Sequence, residues 1–186
     1  MAFGLRNASN AFSGTNTGGL LRFQMADSYA TATFAGDPII LNAGTGYAER
    51  DGAAPTNASG DVVGFAVGFH YTNTSSTPTW NQYYPASGGT DVYVLVTPAS
   101  KSNLFEVQGA NSWNINQMGV QNALTAGAGS TTTGNSGYVV NNATTSAGTG
   151  AVIIRGVKED GENENSSTPI LYVQLADGVS AFETGV

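Results

Sequence analysis

The stretch SNLFEVQGANSWN, residues 102–114, places one carboxylate, Glu106, between the apolar side chains of Leu104, Phe105 and Val107. A carboxyl held in apolar surroundings has a raised pKa, and enzymes use that shift to make a general acid. Such chemistry needs companions. The chain has a single histidine, His70, and no Gly-x-Ser-x-Gly elbow to go with it, so no Ser-His-Asp triad is legible. Cysteine is absent, which excludes a thiolate nucleophile, a disulfide framework and a zinc-cysteine site. A histidine metal site needs further ligands, and none stands at a recognisable spacing. Glycoside hydrolysis uses two carboxylates paired in space, and Glu106 is the only one deep in an apolar stretch. Glu106 therefore reads as a strand residue making a structural contact. No catalytic, cofactor-binding or metal-binding residue is expected, and the chain reads as a non-enzyme.

Two other kinds of motif invite chemistry and fail on detail. The run DGENEN from Asp160 to Asn165 is rich in oxygen ligands. It lacks the glycine after the fifth ligand position and the closing bidentate glutamate of an EF-hand loop, so a solvated acidic hairpin loop is the better reading, with a weak calcium site as the alternative. The runs GTGYAERDG and GAGSTTTG are glycine-rich, but neither ends in Gly-Lys-Ser/Thr nor fits a dinucleotide-binding turn. The aromatic stretch WNQYYP, residues 80–85, is more promising. Trp80, Tyr83 and Tyr84 on a loop beside Asn and Gln can stack on a sugar or anchor a partner, or else cap the core.

The elements that would position these residues are strands. Val62 to Tyr71 alternates Val63, Phe65, Val67, Phe69 and Tyr71 against Val62, Gly64, Ala66, Gly68 and His70. That period of two predicts one apolar face. Further strands are predicted at residues 20–25, 30–34, 38–41, 91–97, 104–108, 138–140, 152–157 and 170–175. Pro38 would open its strand, where a missing N–H matters least. The one helical turn expected spans Gln117 to Leu124, and the loop from Ala126 to Gly137 should be a mobile tip or be ordered by a partner. Short strands with turn-rich joints predict an all-β chain, a compact antiparallel β-barrel or β-sandwich. Residues 19–186 would form this single domain. Residues 1–18, with Phe3, Leu5, Arg6 and Phe12 among Asn, Ser and Gly, would form an extended arm docking on something else, or a terminus packed on its own domain.

Composition narrows the class. With 186 residues and 40% of them hydrophobic, the chain can bury a core unaided. Charged residues are only 10%, and six basic residues against thirteen acidic ones give a net charge of −7. Nucleic-acid backbones are bound by clustered Lys and Arg, and here these are scattered, so direct nucleic-acid binding is not expected. The start MAFGLRNASN has no apolar signal region, and no stretch reaches the length of a membrane span. A soluble protein made in the cytosol is the expectation.

The order of segments carries a resemblance. MAFGLR, a Gly-rich arm, DSYATATFAGDPIIL, Gly46-Tyr47, VVGFAVGFHYTN, QYYPA, VYVLVTPAS and NLFEVQ are similar to the capsid decoration, or cement, proteins of tailed bacteriophages from marine and freshwater hosts. The likeness runs in order through nearly the whole chain, more loosely in the C-terminal third. It implies a β-rich virion protein on the capsid exterior, binding major capsid protein as a homo-oligomer, with a trimer expected and no cofactor. Phe3, Leu5, Arg6 and Phe12 are then the expected arm contacts. The competing expectation is a head-fibre or receptor-binding β-domain that uses Trp80, Tyr83 and Tyr84 on a glycan.

Overall fold

The computed structural model describes residues 2–8, 19–52, 55, 61–144 and 148–182. The chain is an all-β sandwich with no closed barrel, as the turn-punctuated strand pattern predicted. One sheet has the order β1 (Arg6–Asn7), β10 (Phe105–Gln108), β15 (Ile170–Leu175), β14 (Val152–Val157) and β11 (Gln121–Asn122). The larger sheet runs β2 (Leu21–Gln24), β9 (Thr90–Pro98), β6 (Val62–Thr72), β4 (Pro38–Leu41) and β5 (Ala48–Arg50), with β7 (Pro78–Asn81) paired to the far end of β6. Two ribbons complete it, β3 (Ala32–Phe34) with β8 (Tyr83–Pro85) and β12 (Leu124–Thr125) with β13 (Val139–Val140). All the strand pairs are antiparallel.

The larger sheet is curled, and a lone parallel bridge between Met25 and Ala48 brings its two edges together. Its inner face encloses one core, built on Met25, Ile39, Phe69, Tyr84, Val92 and Val94. Part of its outer face, with Val62 and Phe65, packs on the smaller sheet's Phe105, Ile154, Leu171 and Val173 to form a second core. Phe65 meets Phe105 edge-on at 4.9 Å. Strand β6 is thus buried on both sides along much of its length.

This double duty corrects the simple alternation expected for β6. The pairing of β6 slips between Ala66 and Gly68, and Ala66 and Phe69 point into the same core. Val67 is the extra residue of that bulge and is 42% exposed. A second slip, opposite Ile39 and Ile40, leaves Val63 extra, so that Val63 and Phe65, two positions apart, lie in different cores. Two bulges therefore divide one apolar run between two interiors.

Three further expectations change. The helical turn expected from Gln117 to Leu124 is a 3-10 turn at Ile115–Gln117 followed by β11 and β12. The aromatic stretch expected as a loop instead forms β7 and β8. The loop from Ala126 to Gly137 is ordered by its own domain: the Ser136 N–H donates to the Ala35 carbonyl at 2.8 Å, and Ala35 donates to Gly134 at 3.0 Å.

Residues 2–8 are likewise part of the sandwich. β1 is the edge strand beside β10, and Leu5, 1% exposed, lies in the core between the sheets. Gly4 and Gly36, both at positive φ, let these backbones touch, since a Cβ on Gly4 would overlap the Gly36 carbonyl. The MAFGLR motif is thus used to pack the chain's own start. Phe12 and the rest of the expected arm lie outside the described residues.

Candidate functional site

Glu106 answers the first chemical question. It is buried, and its two oxygens are divided between Arg6 Nε and Lys158 Nζ, each at 3.3 Å. Register sets the arrangement, because Arg6 on β1 stands directly opposite Glu106 on β10. Arg6 also lies over the Phe3 ring, 3.9 Å from its centroid. Phe3, Leu5 and Arg6, expected to reach outward to a partner, are all occupied within their own domain.

A second polar cluster escaped the sequence reading. Asp37 is fully buried, accepts from the Phe34 N–H at 2.9 Å and from the Ser136 hydroxyl, and lies 2.8 Å from Arg50 Nε. The Tyr138 hydroxyl donates to the Asp51 carbonyl beside it. Burial pushes the Asp37 carboxyl above its ordinary value, and Ser136, Arg50 and the Phe34 N–H pull it back only in part. These bonds fasten the 126–138 loop to β4 and β5. Both carboxylate oxygens are taken up by these internal partners, so the cluster reads as a structural tie.

The acidic loop is self-satisfied. Asp160 caps the single turn α1 (Gly161–Glu164), and Asn163 bonds the Lys158 carbonyl and both polar backbone atoms of Ile170. Among the described residues, no three His, Cys, Asp or Glu side chains are placed to hold a metal ion.

The open end of the curled sheet is different. Its outward side chains follow from register: Arg22 stands opposite Leu95, Gln24 opposite Tyr93, and His70 between Tyr93 and Trp80. Arg22, His70, Trp80, Tyr93 and Leu95 line a shallow cleft of about 270 Å³. Trp80 is 60% exposed and lies against Gly68, where a Cβ would come within 3.3 Å of the indole. The Arg22 guanidinium stacks 3.6 Å above the Tyr93 ring. Of the three aromatic residues singled out, only Trp80 reaches this cleft. Tyr83 is half-buried and stacks on Phe34 at 5.7 Å, while Tyr84 is wholly buried, edge-on to Tyr71 at 5.3 Å. The expectation of Tyr84 as a ligand contact is corrected, because β8 turns it into the core.

One more exposed apolar feature lies on the 3-10 turn, where Ile115 and Met118 are 65% and 51% exposed. The turn is rigid. Asn114 caps it reciprocally with Gln117, and buried Gln117 also bonds the Ser112 carbonyl and the Asn142 amide. The sequence signal was the Asn-x-x-Gln spacing of Asn114 and Gln117, which marks a capped turn.

Comparison with known proteins found no matching family model, no matching curated protein and no matching solved structure.

Proposed function

We propose that the chain is a structural virion protein of the decoration type, bound to the outer surface of a tailed-phage head and bridging major capsid subunits as a homo-oligomer, with a trimer expected. The order of segments from MAFGLR to NLFEVQ supports the reading. So does the use of buried charge: Glu106 and Asp37 are both tied into structural contacts. The observation that carries the docking role is the doubly capped 3-10 turn, which presents Ile115 and Met118 to solvent. A preorganised apolar knob loses little entropy on docking, and a ligand that binds only the assembled shell stabilises it by linkage.

The test is co-sedimentation of purified protein with heads that lack it, together with light scattering for oligomeric state. Wild-type protein should saturate the heads and delay their thermal rupture. The double variant Ile115→Ser, Met118→Ser should fold normally and bind at least about tenfold more weakly, the loss expected from removing apolar anchors of about 1.4 kcal/mol or more. Failure of the wild type to bind heads overturns the reading.

A second reading, a receptor- or glycan-binding β-domain, is favoured by one observation: the exposed Trp80 indole in the open cleft. Trp80→Ala should then abolish adhesion and leave head binding intact.

A further inference from the structure

The cleft at the open end of the curled sheet has a chemistry of its own. Its walls combine an exposed indole, a guanidinium stacked on a phenol ring and an imidazole, with Leu95 between them. The Trp80 and His70 rings lie 6.4 Å apart. Among the described residues no carboxylate lines the cleft, although acidic residues outnumber basic ones by thirteen to six. Among the described residues, Arg22 forms no ion pair. Its charge is therefore left for a ligand.

We propose that this cleft binds a carboxylate-bearing pyranose of an acidic glycan, which deepens the second reading above and rests on it. The apolar C–H face of a sugar ring fits an exposed aromatic face, and indole offers the largest such face among side chains. Gly68 makes room for the indole, since a Cβ there would come within 3.3 Å of it, and Trp80 stays 60% exposed. Stacking on Tyr93 holds the Arg22 guanidinium plane, and a held guanidinium presents paired N–H donors that match a carboxylate. Gln24, opposite Tyr93 on the exposed side of β2, and His70 supply hydroxyl partners at the rim. Size points the same way. At about 270 Å³ the cleft suits one ring, just below the roughly 300–1,000 Å³ of drug-sized ligand pockets. The whole wall stands on hydrogen-bonded strands, so the site is formed before the ligand arrives.

The experiment measures binding of a galacturonate trisaccharide, a glucuronate-containing tetrasaccharide and sialyllactose by calorimetry and tryptophan fluorescence. Each is paired with its neutral methyl ester. At least one acid should bind, about tenfold or more above its ester, the margin of one charge-assisted contact, and the preference should shrink as salt rises. Arg22→Gln should bring the acid down to the level of the ester. Trp80→Ala should remove binding of both, and Gly68→Val should weaken both by tilting the indole. All three positions are on or under the open face, and circular dichroism confirms that each variant folds. Equal binding of acids and esters by the wild type overturns the acidic specificity while glycan binding stands. No binding of any probe overturns both, and head co-sedimentation is unaffected by either result.

Discussion

Glutamine at position 106 removes the charge that Arg6 and Lys158 share but leaves both cations free to turn to water, since their side chains are 51% and 39% exposed. The cost is therefore that of a partly exposed pair, about 1 kcal/mol by urea denaturation, with function unchanged. A loss of activity on any substrate with an intact fold would reopen the general-acid reading. Asp37 behaves differently, because burial outweighs its partners. Its folded pKa lies above the ordinary value of 3.8, so between those two values the folded protein holds a proton that the unfolded chain has released. Stability from this group therefore rises as pH falls through the raised pKa, and is flat again below the ordinary one. Denaturation of wild type and Asp37→Asn across acidic pH should show this slope in the difference between them. The opposite sign would mean that the Arg50 pair dominates. Arg50→Ala should be far harsher at neutral pH, by about 3–5 kcal/mol, because it leaves a buried carboxylate unpaired.

At the scale of elements, two mid-strand positions of the chain's most apolar strand test the bulge at Val67. Val67 is the extra residue and faces water, so Val67→Thr should stay within about 0.5 kcal/mol of wild type. Phe69, two positions on, is wholly buried, and Phe69→Ala should cost about 3–5 kcal/mol. Similar costs would show that the strand alternates simply after all. The N-terminal segment gives a second test. Leu5→Ala should cost about 2–5 kcal/mol, and removal of residues 1–18 should destabilise the domain by uncovering the β10 edge. An unaltered melting temperature would restore the view of those residues as a free arm. Strand existence was legible for β4, β6, β9, β14 and β15 because each is a sustained β-branched or aromatic run. The shorter β2, β3, β10 and β13 also fall within expected strands, because each holds apolar or β-branched residues between turn signals. β1, β5, β7, β8, β11 and β12 were not legible, since their pairing depends on neighbours rather than on an apolar period of their own.

For the molecule as a whole, the two cores are not independent. β6 contributes Val62 and Phe65 to one and Val63, Ala66 and Phe69 to the other, so neither can melt while the other keeps its wall. A single calorimetric transition with matching van't Hoff enthalpy is expected. Two resolved transitions would show the sheets to be separate units. The fold also decides which polar groups meet, joining Arg6 to Glu106 across 100 positions and Ser136 to Asp37 across 99.

The sequence alone determined the all-β class and the strong strands, because composition and period two act locally and need no knowledge of neighbours. It could not say that Arg6 and Lys158 would take the Glu106 carboxylate, that Tyr84 would turn inward while Trp80 stayed open, or that Arg22 would lie on Tyr93. Those are matters of strand register and of two bulges. In a sheet, a shift of one residue sends every following side chain to the other face. Only the tertiary packing fixes that shift, since it weighs both cores at once.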